Sequence, residues 1–284
     1  MPFEKPRFES PIERKVMREE EKKEEEKKFK ELLEFIKQIA ERLRKERVPV
    51  NDDCRIDMET YNTVYDQEII EKDRKYVEEF KKKWFPGLSE KEIREKKLKT
   101  IGEKLEILKT TIFSKFLGEE FIVVRTSVYD DIENKIDNII LEKKTGNIVC
   151  ALDEVGEAFG ERYEEKKIKV LERNKKGGGC LKYGLRVEKN KENQPKLILG
   201  KIDSIPIFYL VLPEKYIKDV IKEFIPSFDK KSDYEENLFK YFVSLLLGQI
   251  RYFKLERDLD PTLKERLNRF EEVLNKILNF LLKL

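Results

Sequence analysis

The chain contains no histidine. Imidazole is therefore unavailable as general base, metal ligand or charge switch near neutral pH, and Ser-His-Asp and Cys-His nucleophilic chemistry are excluded. Cysteine is scarce: Cys54, Cys150 and Cys180 are too few and too far apart for a paired-ligand zinc site. Their odd number argues against a disulfide framework. No stretch approaches about 18 uninterrupted apolar residues, so no membrane span is expected. No basic segment followed by an apolar one opens the chain as an export signal would, and a cytoplasmic setting is the expectation.

Charge is what the sequence has in abundance. Of 284 residues, 42% are Asp, Glu, Lys or Arg, while the hydrophobic share is 39% and the aromatic share 11%. That aromatic content points to a folded core under a highly charged exterior rather than to disorder.

Hydrophobic spacing divides the chain into four parts. Residues 1–30 are a charged, solvated or partly disordered helix start. Over 31–120 the period is helical: Phe29, Leu32, Leu33, Ile36, Ile39, Ala40 and Leu43 continue one long helix to Pro49, and further helices are expected over Gln67–Phe80 and Glu90–Leu117. From Phe121 the composition becomes strand-like, and 121–225 reads as an α/β core. Strands are expected at Phe121–Val124, Ile136–Glu142, Asn147–Val155, Leu181–Val187, Lys196–Leu199 and Pro206–Leu212, with helices at Arg162–Arg173 and Pro213–Phe224. Over 226–284 a helical hairpin is expected, Ser232–Phe253 followed by a helix capped by Asp260 with Pro261 in its first position. In that last helix Leu263, Leu267, Phe270, Leu274, Ile277 and Leu281 form a heptad seam, which suits packing on the N-terminal helices or a homo-oligomer contact. The fold class expected is α/β (α+β): a mixed sheet flanked by helices, with the terminal helices forming a helical layer.

The hairpin can be taken further. Lys143-Lys144-Thr145-Gly146 joins its strands, and a type I turn followed by left-handed Gly146 pairs Lys143 with Asn147. Counting back sets Asp137 opposite Asp153. Directly opposed Cβ atoms stand about 4.5 to 5.5 Å apart, where two carboxylates repel unless a cation offsets them. Mg²⁺, which takes hard oxygen ligands and keeps waters and phosphate oxygens in its shell, meets that need, as does Mn²⁺. Charge around the hairpin is uneven: 129–160 holds eight acidic against three basic residues, and 161–201 holds thirteen basic against six acidic. An acidic focus beside a basic segment suits cation-assisted work on a polyanion such as nucleic acid.

Asp137 on one strand and an acidic Asp153 on the next, followed by a helix, resemble the PD-(D/E)XK nuclease-like superfamily. The same segment also resembles an uncharacterised family of small-genome bacteria. The first resemblance implies metal-dependent phosphodiester hydrolysis, with Asp137 and Asp153 as ligands of one or two Mg²⁺ ions and an upstream acid, Asp131 or Glu133, as a third. It also implies a lysine that positions or deprotonates the attacking water. Val155 occupies the usual lysine position, so the amine would come from Lys166 or Lys167 on the next helix, or from Lys182 on the next strand. Lys167, Lys175, Lys176, Lys182 and Arg186 are the expected nucleic-acid contacts, and Tyr163 and Tyr183 are candidate base-stacking residues. Lys175-Lys176-Gly177-Gly178-Gly179 lacks the Gly-Lys-Ser/Thr ending of a P-loop and reads as a mobile turn. The competing expectation is a non-enzymatic helical scaffold that binds nucleic acid or protein.

Overall fold

The computed structural model describes residues 11–146, 148–155, 161–190, 195–256 and 259–281. It is an α+β fold built on a mixed sheet. The first helix, α1 (Pro11–Lys45), carries its charged run into a buried stripe of Leu32, Phe35, Ile36, Ile39 and Ala40 that packs on α4 and α7, introduced below. A loop containing a 3-10 turn at Met58–Thr63 leads to α2 (Gln67–Trp84).

The single helix expected over Glu90–Leu117 is two: α3 (Glu90–Leu98) and α4 (Ile101–Leu117). Each has its own N-cap. Ser89 and Glu92 close a capping box, and Thr100 accepts from the Glu103 N–H. The Thr100 cap starts a new helix within a continuous run of helix-forming residues.

Strand β1 (Phe121–Arg125) is followed by a short helix absent from the sequence reading, α5 (Val128–Asn134), capped by Ser127. Next come β2 (Asn138–Glu142), β3 (Ile148–Val155) and α6 (Glu161–Lys175). The four-stranded sheet has the order β1-β2-β3-β6, where β6 is Ile207–Val211. The first three strands are antiparallel to their neighbours, and β6 returns parallel to β3. Every residue of β1, β2 and β6 is buried, so helices or loops cover both faces, and the strands read as continuous apolar runs.

The strands expected at Leu181–Val187 and Lys196–Leu199 lie outside that sheet. They are longer, β4 (Gly179–Lys189) and β5 (Pro195–Ile205), and form their own antiparallel ribbon. The chain closes with α7 (Glu214–Lys222), α8 (Asp233–Lys254) and α9 (Pro261–Leu281). Asp260 caps α9 through the Leu263 N–H at 3.0 Å. The heptad seam is used inside this chain, but α9 packs on α8, β3 and β5 rather than on the N-terminal helices. Leu263, Leu267, Phe270 and Leu274 are buried there, while the Leu281 side chain lies outside the described residues. Among the described residues no helix is long and apolar enough to cross a membrane.

Candidate functional site

The hairpin register sets the site. Asn138 pairs with Leu152, Ile139 with Ala151 and Ile140 with Cys150, so the numbering sum expected from the turn holds at this end. A bulge after Ile140 shifts the pairing to Leu141 with Ile148 on the turn side. Asn147, and with it the expected pairing to Lys143, lies outside the described residues. Gly146 is left-handed as the turn requires, at φ +73°. Asp137 stands one residue before β2, its N–H donating to Leu152 O at 2.9 Å and its carbonyl accepting from the Thr126 N–H at 2.9 Å. β1 and β3 thus clamp its backbone from both sides. Asp137 and Asp153 are both buried.

Two further carboxylates reach this place. Oxygens of Glu106, Asp131 and Asp137 all lie within 4.8 Å of one another. Glu106 was not foreseen from the sequence. It projects from α4 one turn beyond Glu103 and one turn before Lys109, a spacing of three that puts all three near one helix face. The one legible signal was a charged residue, Lys109, inside the apolar run Leu105, Ile107, Leu108, Ile112. Lys109 is fully buried, and burial draws its pKa down to about 8 against the opposing pull of Asp137, Glu106 and Asp153.

Arginines complete the cluster. Arg55 contacts Glu106 at 3.3 Å and Asp131 at 3.0 Å, and Arg125 contacts Glu103 at 2.6 Å and also Glu106. Arg55 reaches the sheet because its loop bridges to β1 at Arg125. Burial alone would raise the Glu106 pKa, but Arg125, Arg55 and Lys109 outweigh it and hold the group down at about 2. Asp137 moves the other way. Burial first, then Asp153, Glu106 and Asp131, push it well above the ordinary carboxylate range, and Lys109 only partly offsets them. Asp153 is likewise raised by burial, against the pull of its ion-pair partner Lys166 and of Lys109 and Arg173.

The structure therefore brings together Asp131, Asp137, Asp153 and Lys166 from the sequence expectation, and adds Glu106 and Lys109. It does not bring in Glu133, which is exposed and accepts a hydrogen bond from Tyr76 Oη at 2.7 Å. Side chains on successive residues of the short α5 point in different directions, so Asp131 faces the cluster and Glu133 faces away. Nor are the five expected nucleic-acid contacts gathered. Lys167 pairs with Glu164 at 3.5 Å, Lys175 with Glu256 at 3.0 Å, Lys182 with Asp73 at 2.5 Å and Arg186 with Glu188 at 2.8 Å, while Lys176 closes α6. Tyr183 is buried and donates to Asp73 at 2.7 Å, and Tyr163 packs edge-on against Tyr209, so both are packing residues. The expected mobile turn is a helix cap. Gly178 N–H donates to Arg173 O and Gly177 N–H to Asn174 O, with φ of +86° and +100°, the Schellman arrangement.

The donor set fits a hard divalent cation, being carboxylate oxygen with no nitrogen or sulfur ligand. Asp131, Arg55, Arg125 and Glu103 also line a cleft of about 470 Å³, so the cluster borders that cleft at Asp131. No family model, curated protein or solved structure matches the chain.

Proposed function

We propose that the chain is a metal-dependent, nuclease-like phosphodiesterase acting on nucleic acid, with Mg²⁺ or Mn²⁺ held by Glu106, Asp131 and Asp137. One observation carries the reading: three carboxylates from α4, α5 and the start of β2 converge beside Asp153 and two lysines, and one of the three, Asp131, lines a cleft. The order of elements supports it. An acid on a helix, Asp137 entering one strand, Asp153 on the adjoining strand and then α6 follow the sequence of parts that the PD-(D/E)XK resemblance implies.

The reaction is attack of water on phosphorus, with the bridging P–O bond broken and the departing oxygen taking a proton. A bound divalent ion supplies acidity to a coordinated water and offsets charge on the phosphate. The protein's own groups do the rest. Lys166 holds Asp153 in place, Lys109 places its ammonium next to Asp137, and Arg55 and Arg125 hold Glu103, Glu106 and Asp131 in position through buried ion pairs. The lysine missing at Val155 is thereby replaced by amines from α4 and α6.

A second reading has its own observation. Five carboxylates (Glu103, Glu106, Asp131, Asp137, Asp153) face four cations (Arg55, Lys109, Arg125, Lys166), a near balance that an internal structural network would also show. On that reading the chain binds without turnover. Nicking of supercoiled DNA and cleavage of an RNA strand, each with Mn²⁺ and with EDTA, separate the two. Cleavage that needs Mn²⁺ and disappears in Asp137→Asn supports the enzyme, and equal inertness of both proteins on both substrates supports the scaffold.

A further inference from the structure

The cleft that reaches Asp131 has a second wall, and the nuclease reading leaves it unused. Lys91, Arg94 and Lys97 of α3, with Lys81 of α2, line the cleft together with Arg55 and Arg125. They belong to a helical arm formed by the end of α2 and all of α3. Over 81–99 the sequence holds eight basic residues against three acidic ones, although the whole chain is only +3. Two of the cleft-lining bases are engaged, Lys81 with Glu90 at 2.9 Å and Arg94 with Asp53 at 2.7 Å. Among the described residues Lys91 and Lys97 have no ion-pair partner, nor do Lys82, Lys83 and Lys99. The cleft lining holds six basic residues against four acidic ones, and a surface with such a positive excess is complementary to a polyanion.

The same arm exposes the only tryptophan in the sequence. Trp84 is 64% exposed, stacked on Phe80 on one side, and follows directly on Lys82 and Lys83. A large aromatic in water beside lysines is the combination that holds single strands, through base stacking and backbone charge together. In α3 the three cleft-lining bases recur every third residue, advancing about 4.5 Å along the axis at each step.

We propose that the α2–α3 arm is a binding surface for single-stranded polynucleotide, whose phosphates follow Lys97, Arg94 and Lys91 along the cleft and whose bases stack on Trp84. The inference rests on the phosphodiesterase reading only for the direction of the strand, toward Asp131. It replaces the dispersed contacts expected from Lys167, Lys175, Lys176, Lys182 and Arg186.

The full chain is titrated in EDTA with a fluorescein-labelled 20-mer of dT, read by anisotropy and, with unlabelled strand, by quenching of Trp84. Quenching on binding is expected, with affinity falling steeply with salt. Lys91→Ala/Arg94→Ala/Lys97→Ala, at accessible helix positions that tolerate alanine, should weaken binding at least tenfold and reduce the log–log salt slope by about 2. Trp84→Ala should weaken it about tenfold with the slope unchanged. Lys167→Ala/Lys176→Ala should bind as the parent does. Absence of quenching by dT, unchanged affinity in the triple variant, equal affinity for the matching duplex, or quenching by anionic phosphatidylserine vesicles in place of dT would each overturn the proposal. Because EDTA removes any metal contribution, Asp137→Asn should bind like the parent, so failure of the metal reading and failure of the arm give different results.

Discussion

Asp137 and Glu106 are neighbours whose acidities have been driven in opposite directions, and the cause lies in their partners. Glu106 faces two guanidinium groups, whereas Asp137 is buried among other carboxylates with Lys109 as its main offset. Removing that ammonium is therefore expensive. Lys109→Met is expected to lower metal-free stability by about 3 kcal/mol, the scale for breaking a buried charge pair, seen as a lower urea midpoint at unchanged slope. A second carboxylate gives a cleaner dependence on pH. Burial would raise the Glu142 pKa, but hydrogen bonds from Arg269 and Thr145 prevail and hold it below the ordinary glutamate value. A carboxyl with a depressed folded pKa stabilises the protein above its unfolded pKa and loses that contribution as pH falls through the folded value. Glu142→Gln should thus lower the thermal midpoint at pH 7, by the equivalent of about 1 kcal/mol. The difference from the parent should shrink as the pH falls below the ordinary glutamate range. A gap that persisted at low pH would assign the effect to packing instead.

At the scale of elements, local chemistry was readable wherever a single residue decides the geometry. Gly146 takes the left-handed conformation that the turn requires, while the bulge after Ile140 separates the register at that turn from the one beside Asp137 and Asp153. Asp260 and Pro261 set the start of α9. Legibility failed where two outcomes use the same letters. The run Glu90–Leu117 has helix-forming composition throughout, and only the Thr100 cap divides it, yet that division starts the helix carrying Glu106 and Lys109. The seven residues of α5 are too short for a periodic signal. Gly177 and Gly178 looked like a loose turn because glycine pairs mark both turns and helix caps. At Gly178 the cap is also a close approach, since an added Cβ would meet Ile205 O at 2.5 Å and Leu263 Cδ1 at 2.8 Å. Gly178→Ala is therefore expected to destabilise by about 1–3 kcal/mol, measured by urea unfolding. Gly102→Ala, where a Cβ meets nothing within 4 Å, should be neutral or slightly stabilising.

For the whole molecule, the sheet and its flanking helices follow from composition and period, but the assembly of the site does not. Glu106, Asp131, Asp137 and Asp153 come from α4, α5, the entry to β2 and β3, and they meet because β1 and β3 are packed against α4. Hairpin geometry can place two of those acids; nothing local places the others. The departure of β4 and β5 into a separate ribbon and the docking of α9 on β3 are likewise choices of tertiary packing. The central claim is that the buried acids form a cation site, and the thermal midpoint tests it through one variant. Asp137→Asn keeps the size of the side chain and removes one of the carboxylates of the cluster. It should then fail to respond to Mn²⁺, while the parent gains about 2.7 kcal/mol of stability at a hundredfold excess over Kd. Equal responses to Mn²⁺ in the two proteins, or none in the parent, would contradict the account.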